Sequence, residues 1–151
     1  MKSIAFALVL ALVPALLSHE TALDLPTLRG SSPSVLATAL GAPAHVSPAP
    51  EQTPFLLHSE VFELTVGTTT GVLAVTYCDD QAFAFELTLA DGQPSAAGLL
   101  VLAGFDTTAL TLERSADTFA RWSGGETEHL VTTATAGGWD RAEVEYDSYG
   151  C

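Results

Sequence analysis

The residues of this chain that could do chemistry are few and thinly spread. Glu143, Glu145 and Asp147 stand at every second position near the C-terminus, which on an extended strand sets three carboxylates along one face at steps of about 6.6 to 7 Å. Such a strip offers oxygen ligands to a hard cation, but calcium loops gather their ligands around a tight, glycine-containing turn, whereas a strand spreads them. The plainer reading is a solvated acidic face, and no metal is assigned. Asp79-Asp80 falls between two strand-like runs, where aspartate bonds its own backbone in a turn. Glycosidic hydrolysis would need two acids held roughly 5 to 10 Å apart across a cleft, and nothing marks a cleft. His19, His45, His58 and His129 show no H-x-H or H-x-x-x-H ligand spacing. His129 has Glu126 and Glu128 beside it in a Gly-rich stretch, the setting of an ordinary exposed loop histidine. There is no G-x-S-x-G elbow and no glycine-rich phosphate cradle. No catalytic residue and no cofactor follow from these patterns, and catalysis is not expected.

Two other patterns remain. RWSGG (Arg121 to Gly125) and GGWDR (Gly137 to Arg141) place Arg121, Trp122, Trp139 and Arg141 around glycine turns on neighbouring strand-like runs. Trp and Arg dominate interface energies when exposed, so these four form a candidate interaction surface. The competing reading makes both tryptophans core residues that close a sheet, with the arginines paired to nearby acids. The only cysteines are Cys78 and Cys151. A disulfide between them would close a loop of about 73 residues and contribute roughly 4 kcal/mol by chain entropy; the alternative is a buried thiol and a free terminal cysteine. Two cysteines without clustered histidines do not make a four-ligand zinc site.

The elements that must position these residues are legible from periodicity. Ser31 or Ser32 can cap a helix that Pro33 starts and Gly41 and Pro43 stop, with Val35, Leu36, Ala39 and Leu40 at helical spacing. Pro43, Pro48, Pro50 and Pro54 then impose an extended connector. Apolar residues alternate around Phe62–Val66, Leu73–Tyr77 and Phe83–Leu89, three strands joined by hairpins at GTTTG and Asp79-Asp80-Gln81. After a turn at Ala90 to Gln93 the order restarts. Ala96 to Asp106 reads as a second helix, with a buried strand as the alternative, and Leu110 and Leu112 leave Thr107 to Arg114 ambiguous. Thr118–Trp122, Leu130–Thr135 and Trp139–Asp147 are three further strands. The expected fold is α+β, an antiparallel sheet of about six strands with one or two short helices on its dry face. Helix-then-strands occurs twice, and a tandem duplication into halves 24–90 and 91–151 is one reading of it. In the last strand Ala142, Val144 and Tyr146 should point inward, with Glu63 and Glu86 sharing the wet face with Glu143 and Glu145.

Composition sets the outer limits. With 151 residues, 48% of them hydrophobic, there is material for one ordinary core and no second full-sized one. Eighteen acids against five bases give a net charge of −13, which repels a phosphate backbone and excludes nucleic-acid binding. Lys2 and the 14-residue apolar run Ile4 to Leu17 resemble a secretory signal, too short to cross a bilayer as a helix. The expectation is a signal peptide over 1–22, with cleavage after Ala15, Ser18 or Ala22, then one domain over 23–151 that is not embedded in a membrane.

The run Leu28-Arg29-Gly30-Ser31 through Val35 to Leu40-Gly41-Ala42-Pro43 resembles the opening helix of small secreted bacterial proteins, among them outer-membrane lipoproteins of the SmpA/OmlA type and folds like the beta-lactamase inhibitor protein. The resemblance spans about 20 residues. It implies an envelope or secreted binding fold of helices followed by antiparallel strands, and it brings no active site. The lipid-bearing cysteine of the lipoproteins and the additional cysteines of the inhibitor are absent here. The expected function is a secreted or periplasmic, non-catalytic module that binds a protein or small ligand. The alternatives are an inhibitor of a secreted or periplasmic enzyme, or an enzyme of unknown type.

Overall fold

The computed structural model describes residues 22–47 and 57–147; the N-terminal apolar run, most of the proline-rich connector and Cys151 lie outside them. Helix α1 (Leu25–Leu28) starts at Asp24, whose carboxylate accepts from the Thr27 amide at 3.2 Å, and has Pro26 in its first turn. Helix α2 (Pro33–Leu40) starts at Ser32, whose hydroxyl accepts from the Val35 amide, and ends at Gly41. Its buried side is narrower than the apolar spacing implies: Leu36 is fully buried and Leu40 packs against the core, while Val35 is 51% exposed and Ala39 also faces outward.

Strands β1 (His45–Ser47), β2 (Leu57–Val66), β3 (Thr69–Cys78) and β4 (Gln81–Gln93) follow. Helix α3 (Ala96–Leu102), capped by Ser95, and a short 3-10 turn at Thr107–Ala109 come next. Strands β5 (Leu110–Ala116), β6 (Phe119–Gly124), β7 (Thr127–Thr135) and β8 (Gly138–Tyr146) complete the chain order. The eight strands among the described residues form one antiparallel sheet in the order β1-β2-β3-β4-β8-β7-β6-β5. The fold is therefore α+β as the alternation requires, but with eight strands rather than six. The two additional strands, β1 and β5, are the edges of the sheet, where both faces are wet and no apolar alternation is needed: β1 is wholly exposed, and in β5 only Leu110 is partly covered.

The stretch Ala90 to Gln93 is not a turn but the end of β4, displaced from β8 by a register shift between Thr88 and Gln93. Close backbone approach explains its glycine. A Cβ on Gly92 would stand 2.5 Å from the Gly137 carbonyl oxygen and 2.8 Å from the Gly138 Cα, so only glycine lets β4 pass the β7–β8 turn. At the other end of α3, Gly104 has φ +92°, and a Cβ there would meet the Asp24 backbone at 2.5 Å. That contact lets the Leu25 amide bond the Ala103 carbonyl at 3.0 Å, joining α1 to the end of α3.

The core lies between the helices and one face of the sheet. Leu25, Leu36, Leu99 and Leu100 pack with Phe62, Leu73, Val75, Tyr77, Phe85 and Leu87 of the first four strands and with Leu130, Ala142, Val144 and Tyr146 of the last two. Each fully buried leucine contributes about 1.5 to 3 kcal/mol by leaving water, and those from both halves sit in one cluster. Arg29, in the link between α1 and α2, reaches across it: its Nη1 lies 2.7 Å from Glu126 and its guanidinium 5.0 Å from the centre of the Tyr146 ring. No helix among the described residues is long and apolar enough to cross a membrane.

Candidate interaction face

With the helices on one side, the other face of the sheet has no covering layer among the described residues, and strand register arranges it in rows. Across the first half, His45, Val61, Ala74 and Glu86 are successive cross-strand neighbours. The row continues through Glu143, Val131, Arg121 and Arg114 to the far edge. On one side of it lie Glu63, Val72 and Thr88; on the other lie Ser59, Thr76, Ala84, Glu145 and His129. Valines, alanines and threonines fill the positions between the charges, so the face has shallow relief with charged posts.

At the junction of β4 with β8 two carboxylates, Glu86 and Glu143, stand directly opposite each other. Like charges in that position destabilise a sheet. Arg141 resolves the conflict, with its Nη2 3.1 Å from Glu86 and 2.7 Å from Glu143. His129 lies 3.8 Å from the same Glu143, so the polar chain crosses β4, β8 and β7. Among the described residues, two depressions indent this face. One, of about 570 Å³, is lined by Glu63, Thr65, Thr70, Val72, Thr88 and Ala90 on β2, β3 and β4. The other, of about 270 Å³, lies among Thr76, Ala84, Glu86, His129, Glu143 and Glu145.

The four residues singled out from the RWSGG and GGWDR runs divide between the two faces. Arg121 stands on the open face with its Nε 3.3 Å from Glu113, and Arg141 stands there between its two glutamates. Trp122 and Trp139 are half-buried and pack against the core; the Trp122 indole donates to the Thr132 hydroxyl at 3.2 Å. Arg121 and Trp122 fall on opposite sides because adjacent strand positions alternate; Trp139 and Arg141 are two positions apart, and the register shift between Thr133 and Ala134 lies between them. Glu143 and Glu145 share the open face as their spacing requires, and among the described residues no group of three or more His, Cys, Asp or Glu side chains is arranged to hold a metal. His45 bonds Ser47, and His58 stacks on Tyr77 with ring centres 4.6 Å apart. His129 meets Glu143 across strands rather than the Glu126 and Glu128 of its own loop. Asp79 and Asp80 form the β3–β4 turn, both at positive φ. Cys78, at the end of β3, is not a free thiol; its expected partner Cys151 lies outside the described residues, as does His19.

Sequence reading missed the buried pair beneath the first half. Glu60 is 7% exposed and accepts a 2.8 Å hydrogen bond from the Tyr77 hydroxyl. Burial first, and then that bond and the carboxylate's charge, raise the Tyr77 pKa far above the usual phenol range. The signal was present, since Glu60 falls in phase with Phe62, Leu64 and Val66, a charged residue on an otherwise apolar face. Tyr146 is equally buried, but its hydroxyl has no hydrogen-bond partner among the described residues, and its pKa is pushed up to about 12, mainly by desolvation. Val72 and Glu63 could not be joined to Thr88 from the sequence, because a row across three strands exists only once register is known.

No protein-family model, curated protein or solved structure matches this chain.

Proposed function

We propose that the chain is an exported, non-catalytic interaction module that binds a protein partner through the helix-free face of its sheet. One observation carries this reading: among the described residues the face runs unbroken across eight strands and both halves of the chain, with no helix over it. An antiparallel sheet commonly leaves one face to solvent; this one combines shallow apolar ground with fixed charges, the make-up of a polar protein interface. Export is supported by the apolar leader at the N-terminus and by the bound state of Cys78, for which we infer a bridge to Cys151. Thiol titration of the unfolded, unreduced protein should detect no free thiol; two would reject the bridge. The mirrored strand order about the β4–β8 junction, with helices preceding each set of four strands, favours two copies of one helix-meander unit joined in tandem.

The test is affinity capture from the native secreted fraction with tagged protein and two variants. Ala74→Arg places a long cation in the middle of the open face, and Val101→Arg places the same side chain on the exposed side of α3. A partner retained by wild type and Val101→Arg but lost by Ala74→Arg is the expected result. Equal retention by all three would reject the face.

A further inference from the structure

We propose that the larger depression on the open face, between β2, β3 and β4, receives a cationic side chain, an arginine or lysine, presented by a basic protein partner. The inference rests on the reading of this face as the interaction surface and names what one part of it recognises. Three observations lead to it. The ground of the depression is apolar: Val72 is 43% exposed in the middle of a strand that has neighbours on both sides, which suits the methylene stem of a long basic residue. Its flanks are hydroxyls, Thr65, Thr70 and Thr88, short enough to leave about 570 Å³ open. Its rim holds one carboxylate, Glu63, directly opposite Val72, and among the described residues Glu63 has no ion-pair partner. An apolar trough ending at an unengaged carboxylate matches a stem that ends in a cation, since head and stem are satisfied together.

The surrounding charge agrees. Arg141 is the cation nearest in register, opposite Thr88, but it is engaged by Glu86 and Glu143, so two carboxylates offset it. At longer range the net charge of −13 draws basic proteins toward the molecule and repels acidic ones, an effect that salt weakens. An anionic or neutral occupant would leave Glu63 either opposed or unused.

The full chain, labelled for amide NMR, tests this with three small probes: blocked arginine, blocked citrulline, which has the same shape without the charge, and blocked glutamate. Arginine should shift the amides of Glu63, Thr70, Val72 and Thr88 saturably, with citrulline at least fivefold weaker and glutamate without effect. Glu63→Gln should weaken arginine binding about threefold, in keeping with an exposed ion pair, and Val72→Thr should weaken arginine and citrulline alike. Equal response to arginine and citrulline, shifts centred on Glu86 and Glu145 instead, or no saturable shift would each overturn the assignment. The face itself is judged separately: loss of a captured partner by Ala74→Arg alongside a negative NMR result would keep the interaction surface and remove only its cation pocket.

Discussion

At the scale of single residues, two buried tyrosines make opposite statements. The Tyr77 hydroxyl is the donor that lets Glu60 remain inside, whereas the Tyr146 hydroxyl is buried with nothing to bond among the described residues. Removing the first strands a carboxylate; removing the second relieves a desolvated group. Tyr77→Phe should therefore cost about 1.5 to 3 kcal/mol in urea unfolding, and Tyr146→Phe should be neutral or stabilising by up to about 1 kcal/mol. If both variants lose stability equally, this account of the two hydroxyls is wrong. The same groups set the alkaline limit. Both phenol pKa values are higher in the folded chain than in the unfolded one, so neither ionisation penalises the fold below about pH 10, and stability drains away as pH rises above it, for Tyr146 toward about 12. Ultraviolet titration should show these phenolates appearing together with loss of fold rather than before it.

At the scale of elements, the interior strands were readable because one dry face forces alternation. Phe62, Leu64 and Val66, or Ala142, Val144 and Tyr146, declare their side without any knowledge of neighbours. The edge β1 carries no such pattern, since nothing on it must hide, and β5 carries only the alternating Leu110 and Leu112, of which Leu110 alone packs against the core; α2 shows the converse: Val35 and Ala39 are apolar yet face outward. Ala90 to Gln93 was misread for a different reason. Asp-Gly is a strong local turn signal, but here the glycine answers to the backbone of Gly137 and Gly138 on another element, which no local rule can register. This yields a sharp expectation. Gly92→Ala forces a Cβ onto backbone atoms that cannot swing away, and should cost more than about 2 kcal/mol in thermal or chemical unfolding, well beyond the roughly 0.5 to 1 kcal/mol that alanine gains over glycine in a regular element. A Gly92→Ala protein as stable as wild type would mean β4 does not pass the β7–β8 turn so closely. The open face was legible in composition, as polar residues out of phase with the core, but its rows and depressions depend on register and were not.

At the scale of the whole molecule, the two sets of four strands meet at a single pairing, β4 with β8, beneath helices that share one core. The opposed Glu86 and Glu143 sit on that seam, and Arg141 holds them. Arg141→Ala should lower stability by about 1 kcal/mol, more at low salt than at high, and Glu86→Gln added to it should restore part of the loss. Additive losses in the double variant would show that the two carboxylates do not oppose each other. The strand order also fixes a sequence of events during synthesis. Strand β8, one of the two at the centre of the sheet, leaves the ribosome after the other seven described strands, so β4 must wait, with one row of amides and carbonyls unclaimed, while more than 40 further residues emerge. A nascent chain halted before residue 138 would hold both outer sets of strands and lack the one that unites them. Such a truncated product would be sticky along that vacant border, prone to aggregation and open to proteolysis.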